Sequence, residues 1–283
     1  MSQLVSAVMI VKNGARTIAS SLKSLEVFDE VVVFDNGSID GTQDLVATFP
    51  NVRLYEGEFE GFGVTKNKAV SLASHNWILV IDADECIEPE LAAAIHQQKL
   101  DPKIIYLLNF KAFYKDYQVK YCGWNNQKIR RVYNRTETQF TNNKVHENLI
   151  DNRLRISELK GGSVRHYSYH SISDLITKVE RYSSLYAAGN GEMHSNRESL
   201  QAGPSKAFFS GIYAFFKTYI LKRGFLDGYV GLLIAFSHMA TNFYKYMSST
   251  SVIGTKPPGV AALDVTLQVI RAALGSQHDR MLR

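Results

Sequence analysis

Three acidic residues stand within four positions directly after an apolar run. The segment WILVIDADE ends in Asp82, Asp84 and Glu85. Two carboxylates at positions i and i+2 that leave a buried strand can converge with a bound diphosphate on one divalent cation, and such oxygen ligands suit Mg²⁺ or Mn²⁺. A solvated turn is the alternative, but three crowded carboxylates repel one another when no cation is present. The pattern therefore favours a metal site with Asp82 and Asp84 as ligands.

A second acidic turn follows another apolar run. In VVVFDNGSIDGT, Asp35 comes directly after the run and Asp40 lies five residues further on. A carboxylate at a strand end can accept hydrogen bonds from a nucleobase imide or a ribose hydroxyl. An Asx turn in which Asp40 caps the next helix fits the same residues, and both interpretations can hold because the two carboxylates need not share a role. Taken alone, this turn leaves the function open.

Alternating strand and helix patterns in the first hundred residues position both turns. The predicted strands are Val5–Val11, Glu30–Phe34, Val52–Tyr55 and Trp77–Ile81, and the predicted helices between them are Ala15–Leu25, Thr42–Thr48 and Lys66–Ala73. This alternation predicts a right-handed parallel α/β sheet. Ligands bind beyond the carboxyl ends of the strands in such sheets, which is where both acidic turns fall.

The pattern changes after residue 103. The segments IIYLLNFKAFY, QVKYCGW and KIRRVYN predict strands that extend the sheet in antiparallel or mixed fashion. Helices are predicted over Ser173–Ala188, Lys206–Leu221, Tyr229–Met247 and Ala261–Leu274, with a boundary at Gly203-Pro204. We therefore expect a catalytic domain over residues 1–203, made of halves 1–103 and 104–203, and a helical C-terminal extension over residues 204–283.

Charge is distributed unevenly along the chain. The net charge is +5, but residues 1–150 carry 16 Lys/Arg against 18 Asp/Glu, whereas residues 151–283 carry 16 against 9. The basic second half predicts a surface that faces an anionic partner, with a solvated basic face as the alternative. No recognition motif for nucleic acid accompanies this charge, so we do not expect a nucleic-acid partner.

Several classes of protein are disfavoured by what the sequence lacks. The first turn, Val11–Arg16, has no GxGxxG spacing, which argues against a nicotinamide dehydrogenase. The two cysteines, Cys86 and Cys122, provide neither a disulfide framework nor paired zinc ligands. The first residues read as a strand rather than a secretory leader, and no apolar run approaches about 18 residues. We therefore expect a cytoplasmic protein.

Four segments in the first half resemble the family 2 glycosyltransferases, which are nucleotide-sugar-dependent enzymes with the GT-A fold. In chain order they are SAVMIVKNGARTI, VVVFDNGSIDGT, GFGVTKNKAV and VIDADE, within about residues 4–150. The resemblance implies an α/β fold of the GT-A type, with a mostly parallel nucleotide-sugar-binding sheet flanked by helices and a C-terminal helical extension.

For the donor site, the resemblance implies contacts from four residues. These are Lys12, Asp35, Lys66 and Asp82. Asp35 would contact the base or ribose, and Lys66 would lie near the nucleotide or diphosphate. Asp82 and Asp84 would form the D-x-D motif, with Asp84 the stronger candidate for the direct ligand of Mg²⁺ or Mn²⁺.

Later segments resemble the branch of this family that builds lipopolysaccharide cores. KIRRVYNR, NNKVHENL and VRHYSY carry this likeness, and SKAFFSGIYAFFKTYILKRGFLDGYVGLLIAF supports it. Many family members have Glu-Asp in the acceptor region, where this chain has His146-Glu147. We expect Glu147 to be the catalytic base, because an inverting transfer needs a carboxylate to take the acceptor hydroxyl's proton.

Three further residues could either contact a ligand or pack within the protein. The resemblance implies that His146 and His166 provide a further contact to metal or phosphate, although a lone histidine is more often a packed residue. Trp124 could stack on a sugar ring of the acceptor, and packing in the core is the equal alternative.

Together these features predict a metal-dependent inverting glycosyltransferase. It would move a sugar, glucose by resemblance, from a UDP-sugar to a glycolipid or oligosaccharide acceptor of the lipopolysaccharide core type. Residues 206–247 are rich in Phe and Tyr with interleaved Lys and Arg. This segment predicts peripheral docking on the inner face of the cytoplasmic membrane, an anionic surface. A helical hairpin packed on the catalytic domain or on a second subunit is the alternative.

Two other classes of protein are alternatives to this prediction. A haloacid-dehalogenase-like phosphatase also has D-x-D after a strand, but it needs Thr or Val where this chain has Cys86, and its motif follows the first strand rather than the fourth. A non-catalytic nucleotide-sugar or polysaccharide-binding protein of the same fold is the other rival. A donor-hydrolysis assay separates it from an enzyme, since a pure binder releases no UDP.

Overall fold

The computed structural model describes residues 3–143, 147–151, 153–187 and 204–248. The chain divides into two compact units, one of residues 1–175 and 218–234 and the other of residues 176–217 and 235–283. The predicted boundary at Gly203-Pro204 falls at the edge of an undescribed segment, and the predicted helix Ala261–Leu274 lies outside the described residues. The division of the chain at residue 203 therefore stays a prediction.

Four parallel strands form the first part of the sheet in the first unit. They are β1 (Val5–Val11), β2 (Glu30–Asp35), β3 (Val52–Glu56) and β4 (Trp77–Val80), connected through α1 (Ile18–Ser24), α2 (Thr42–Val46) and α3 (Phe62–Ser71). Their order is β3-β2-β1-β4, and the pairs are parallel. The predicted parallel α/β arrangement is confirmed for these strands, and their carboxyl ends share one edge.

The remaining strands make the sheet mixed. They are β5 (Glu85–Ile87), β6 (Ile104–Tyr114), β7 (Tyr117–Gln118), β8 (Gln127–Asn134), β9 (Arg155–Glu158) and β10 (Val164–Tyr169), with α4 (Pro89–Gln97) after β5. The order continues from β4 as β8-β6-β10-β5. β8 is antiparallel to β4 and β6, and β5 is antiparallel to β10, whereas β10 is parallel to β6. The predicted antiparallel or mixed additions are confirmed.

The segment QVKYCGW was expected to be a strand, and this prediction was wrong beyond Gln118. The backbone turns instead, with positive φ at Cys122 and Gly123. The backbone N–H groups of Lys120 and Tyr121 donate to the buried carboxylate of Asp227 rather than to a neighbouring strand. A contact from more than a hundred residues away therefore overrides the local β propensity.

The core of the first unit lies on both faces of the sheet. Val5, Ala7 and Met9 of β1 pack into one hydrophobic cluster, whereas Val8 packs into the cluster on the opposite face. Successive side chains of a strand point to opposite faces, so a strand that is apolar throughout must be covered on both. The continuous apolar run in the sequence reflects this burial.

Helices dominate the rest of the described chain. α5 is Ile172–Ala187, α6 is Pro204–Phe216 with a π-helical turn over Lys217–Leu221, and α7 is Gly228–Ser248 after a 3₁₀ turn over Gly224–Asp227. Within the second unit, a Cβ on Gly211 would lie 3.2 Å from the carbonyl oxygen of Met239, and Phe215 contacts Phe236 edge to face. None of the described helices combines the length and apolar character that crossing a bilayer requires.

Candidate active site

The acidic motif forms a tight turn between β4 and β5. The backbone N–H of Asp82 donates to Glu85 Oε2 at 2.9 Å, and the N–H of Glu85 donates to the carbonyl oxygen of Asp82 at 3.0 Å. Glu85 then starts β5, where it lies opposite His166 of β10. The antiparallel register of β5 and β10 therefore brings His166 to the acidic turn, although the two segments are about 80 residues apart.

A buried arginine that the sequence analysis did not single out neutralises this turn. Arg131 lies on β8, whose antiparallel pairing with β4 carries it to the end of that strand. Its Nη2 donates to Asp82 Oδ2 at 2.9 Å and to Glu85 Oε1 at 2.5 Å, and its guanidinium lies 5.2 Å from the ring centroid of Phe110. The sequence feature that could have indicated Arg131 is the second Arg of the strand-like segment KIRRVYN.

The two carboxylate partners of Arg131 have pKa values shifted in opposite directions. Burial raises the pKa of Asp82, but the charges of Arg131 and Lys66 outweigh it and hold that pKa well below its usual range. Burial is also the main influence on Glu85 and raises its pKa; the charge of Arg131 opposes this, and the charge of Asp82 adds to it. Asp82 is therefore the firmly ionised member of the pair.

Asp84, Glu85 and His166 form a group that could hold a metal ion. One ligand atom from each lies within 4.8 Å of the others. His166 Nε2 is 3.2 Å from Asp84 Oδ2 and 3.0 Å from Ser168 Oγ. Burial lowers the pKa of His166, but the hydrogen bond and charge of Asp84 outweigh it, so that the net shift is upward. Two carboxylates with an imidazole suit a divalent cation, and the imidazole favours Mn²⁺ over Mg²⁺.

The predicted metal ligands therefore fall into two environments. Asp84 and His166 belong to the group just described, and their side chains are 37% and 32% exposed. The Asp82 side chain is also 37% exposed, but its Oδ2 accepts a hydrogen bond from Arg131. His146 lies outside the described residues.

The candidate base, Glu147, makes an ion pair with Lys66. Lys66 Nζ lies 2.5 Å from Glu147 Oε1, and the two side chains are only 9% and 15% exposed. The ammonium group also lies 5.9 Å from the ring centroid of Phe62 and 5.4 Å from that of Phe140. Two residues that the sequence analysis assigned to separate tasks, base and donor contact, thus touch each other.

Contacts between α3 and the described residues on either side of Glu147 accompany this pairing. The amide of Asn67 donates to the carbonyl oxygen of Phe140 and accepts from its N–H, both at 2.9 Å. Phe140 forms an antiparallel bridge with Leu149, two residues beyond Glu147. One turn earlier on α3, a Cβ on Gly63 would lie 1.8 Å from the carbonyl oxygen of Thr141, so only glycine fits.

At the end of β2, Asp35 is fully buried with one oxygen unpaired. Its Oδ1 accepts the N–H groups of Gly37 and Ser38, each at 2.7 Å, which confirms the predicted Asx turn. Its Oδ2 has no hydrogen-bond partner among the described residues. A buried acceptor without a partner is costly, and a ligand that donates one hydrogen bond would relieve that cost. Asp40 Oδ1 accepts the N–H of Thr42 at 3.2 Å, but the N-cap of α2 is Gly41 and no side chain caps this helix, so the prediction that Asp40 caps it was wrong.

The two remaining predicted contact residues are Lys12 and Trp124. Lys12 follows β1 and is exposed. Trp124 is partly buried and stacks on Tyr169, with ring centroids 5.1 Å apart and ring planes 21° apart. The roles of Lys12 as a donor contact and of Trp124 as an acceptor contact stay predictions.

The sheet order and the acidic strand ends define an α/β protein with polar side chains gathered at the carboxyl edge of its parallel strands. β2 and β4 flank β1, and the order of the strands reverses direction between β1 and β4. A ligand crevice forms at such a switch point, beyond the carboxyl ends of the strands. Asp35 ends β2, and Asp82 and Asp84 follow β4.

The chain belongs to glycosyltransferase family 2: the model of that family, described as "Glycosyl transferase family 2", matches residues 6–159. An uncharacterised glycosyltransferase of Rickettsia felis is 28% identical over 81% of this chain and 83% of its own length. The lipopolysaccharide core biosynthesis glycosyltransferase LpsC of Rhizobium meliloti is 23% identical over 85% of this chain and 92% of its own length. The structure of S. aureus TarS 1-349 in complex with UDP covers 92% of this chain and 95% of its own, with a TM-score of 0.45 and 16% identity.

Proposed function

We propose that this family 2 glycosyltransferase is an inverting enzyme that moves a sugar, with glucose favoured, from a UDP-sugar to an acceptor of the lipopolysaccharide or lipooligosaccharide core. The observation that carries this proposal is that acidic residues lie at the carboxyl ends of both β2 and β4, the two strands next to β1 in the sheet. Asp35 has a buried oxygen without a partner, and Asp84 lies in a group suited to a divalent cation. A nucleoside at the first and a diphosphate at the second would span this edge of the sheet.

The chemistry of Asp35 favours uracil over cytosine. A carboxylate accepts hydrogen bonds and donates none when ionised. Uracil carries an imide N–H that can donate to Asp35 Oδ2, whereas cytosine has an acceptor at the same ring position. Ribose hydroxyls would satisfy the same oxygen without this discrimination. Preference for UDP over CDP, which differ only in the base, is therefore the expected mark of base recognition by Asp35.

Glu147 is proposed as the general base of the transfer. It takes the proton of an acceptor hydroxyl, whose oxygen attacks C1 of the donor sugar while the bond from C1 to the diphosphate oxygen breaks, so that the configuration at C1 inverts. Asp84 and His166, with Glu85, would hold Mn²⁺ or Mg²⁺, which supplies positive charge for the departing diphosphate. Lys66 and Lys12 are the proposed cationic side chains for the same anion.

The acceptor class rests on the family branch and on the second half of the chain. LpsC is named for lipopolysaccharide core biosynthesis, and its similarity extends over 85% of this chain. A core acceptor is phosphorylated and anchored in lipid, which agrees with the net charge of the basic second half. Trp124 is the proposed contact to an acceptor sugar ring.

We further propose that the enzyme docks on the inner face of the cytoplasmic membrane through part of residues 206–247. Large apolar side chains are exposed along this segment: Phe208, Phe209, Tyr213, Phe216, Ile220, Leu221, Phe225, Leu226 and Tyr229. Lys206, Lys217, Lys222 and Arg223 are exposed among them. Apolar side chains interleaved with cations suit the headgroup region of an anionic bilayer.

A panel of nucleotides with and without Mn²⁺ tests the donor assignment. A ligand that binds only the folded state raises the melting temperature, so UDP with Mn²⁺ is expected to stabilise the protein more than CDP with Mn²⁺ does. Asp35→Asn should narrow the difference between the two shifts, because an amide can donate to cytosine as well as accept from uracil. Equal shifts for UDP and CDP in the unmodified protein would count against uracil recognition.

The alternative function is binding of a nucleotide sugar or polysaccharide without catalysis. Release of UDP from UDP-glucose in the presence of acceptor distinguishes the two. An enzyme releases UDP in proportion to the sugar transferred, whereas a binding protein gives a thermal shift and no release.

A further inference from the structure

The ion pair between Lys66 and Glu147 places the candidate base in contact with a candidate donor ligand. We propose that Lys66 is an interlock: it holds Glu147 while no donor is bound and moves to the donor's diphosphate when donor binds, so that Glu147 is released only in the donor complex. This inference rests on the proposed function. It adds an order of events, in which the donor must bind before the acceptor hydroxyl can lose its proton.

The pair is buried enough to block the base. Lys66 is on the inner side of α3, and its ammonium group lies between the rings of Phe62 and Phe140. With Glu147 15% exposed and its Oε1 2.5 Å from Nζ, that oxygen is committed to an ammonium donor. A carboxylate oxygen held in this way is a poor acceptor for the proton of a hydroxyl.

The described residues that flank Glu147 have backbone contacts that do not depend on the ion pair. Asn67, the next residue on α3, makes both of its hydrogen bonds with the backbone of Phe140. The N–H of Thr141 donates to the carbonyl oxygen of Asn148, and Gly63 packs directly against Thr141. Because these contacts do not involve the Lys66 or Glu147 side chains, the ion pair can open while Phe140, Thr141 and Asn148 keep their contacts.

A diphosphate is a suitable competitor for Lys66. It carries more negative charge than one carboxylate, and charge-assisted hydrogen bonds from ammonium to phosphate are strong. α3 follows β3, so its first turns lie at the carboxyl edge of the parallel strands, and Lys66 is in the second of these turns. The diphosphate is proposed to bind at the same edge, beside Asp84, which follows β4.

The interlock has a consequence for affinity. If donor binding must break the ion pair, the cost of breaking it is subtracted from the donor affinity. Glu147→Gln removes the charge of the base and lowers that cost, so UDP should bind more tightly although turnover is lost. We expect a gain of at least roughly fivefold, the lower end of the coupling between linked sites.

Isothermal titration of UDP in Mn²⁺ onto four proteins tests this: the unmodified chain, Glu147→Gln, Lys66→Met and the double variant. The interlock predicts tighter binding for Glu147→Gln, weaker binding for Lys66→Met, and no gain from Glu147→Gln when Lys66 is already Met. Glu158→Gln is the matched control, because Glu158 also pairs with a lysine at 2.5 Å, that of Lys128, and loses the same charge. Glu147→Ala serves as a second variant should the glutamine variant melt at a lower temperature.

The double variant separates the interlock from simple repulsion between Glu147 and the diphosphate. Relief of repulsion would raise UDP affinity by the same factor with Lys66 or Met at position 66, and this result would overturn the interlock. Unchanged or weaker binding of UDP to Glu147→Gln would overturn it too. Either outcome leaves the proposed transferase intact, whereas failure of the unmodified protein to bind UDP would reject the proposed function itself.

Discussion

Asp84 is the residue on which the proposed metal site depends most. Its carboxylate faces His166 at 3.2 Å and is part of the group that includes Glu85. Glu85 is committed to Arg131 and to the N–H of Asp82, and Asp82 is committed to Arg131. Asp84 is thus the carboxylate of the motif with the greatest freedom to take a cation.

Asp84→Ala is expected to weaken Mn²⁺ binding by at least roughly 10–100-fold, a loss that even outer-shell residues of metal sites produce. Stability should change by no more than about 0.5 kcal/mol, because the side chain is partly exposed and contributes little to the core. Titration of Mn²⁺ by calorimetry, with a thermal melt of each protein, measures both effects. Asp29→Ala removes an exposed acid elsewhere and should leave Mn²⁺ affinity unchanged; unaltered Mn²⁺ binding by Asp84→Ala would exclude this site.

At the scale of elements, one buried carboxylate joins the turn after β7 to the segment before α7 within the first unit. Asp227 accepts the N–H of Lys120 at 3.0 Å, the N–H of Tyr121 at 2.8 Å and the hydroxyl of Tyr117 at 3.2 Å. A Cβ on Gly231 would lie 1.8 Å from the carbonyl oxygen of Gly224, so the chain is packed tightly around this carboxylate.

Asp227→Asn is expected to destabilise the protein by about 1–3 kcal/mol, because an amide offers one acceptor oxygen where the carboxylate offers two, and a buried N–H is then left unpaired. Chemical denaturation followed by tryptophan fluorescence measures the loss. Asp116→Asn, a change at an exposed acid in the turn between β6 and β7, is the control and should stay within about 0.5 kcal/mol of the unmodified protein. A matching stability for the two variants would show that Asp227 is not a structural anchor.

The elements that are periodic in sequence were the ones that could be predicted. The bounds of β1 follow from a continuous apolar run, and those of β6 from the segment IIYLLNFKAFY. The apolar run of β2 predicted its end at Phe34, one residue before the observed end at Asp35, and the acidic turns were placed at strand ends because they follow such runs. Pairings between distant segments could not be predicted. β5 with β10, Arg131 with Asp82, and Lys66 with Glu147, 81 residues apart, depend on the order of strands in the sheet rather than on local spacing.

On the scale of the whole molecule, the charge and the exposed apolar side chains predict that the enzyme works at a membrane surface. The first 150 residues carry the acidic motif, whereas the second half is basic and carries the exposed aromatic segment. Attraction of such a segment to a membrane combines apolar insertion with a salt-dependent electrostatic part, worth about 1 kcal/mol for each Lys or Arg near the surface. Salt and lipid charge can therefore test the docking directly.

Flotation with liposomes is expected to recover the protein on anionic vesicles at low salt and less of it at high salt. Changing Lys217, Lys222 and Arg223 to Glu should remove most of this binding. Changing Lys23, Lys99 and Lys115 to Glu alters the net charge by the same amount on exposed residues elsewhere and should leave most of it. Equal recovery on neutral and anionic vesicles, or recovery on neither, would reject the electrostatic docking.

The central claim is that this chain transfers a sugar with Glu147 as the base. The most direct measurement is the rate of label transfer from radiolabelled UDP-glucose to truncated lipopolysaccharide in Mn²⁺, compared between the unmodified protein and Glu147→Gln. We predict transfer with inversion at C1 by the unmodified protein and a rate lower by roughly 10²–10⁴-fold for the variant, while UDP binding is retained. Transfer by Glu147→Gln at the unmodified rate, or UDP binding by the unmodified protein without transfer, would contradict the account.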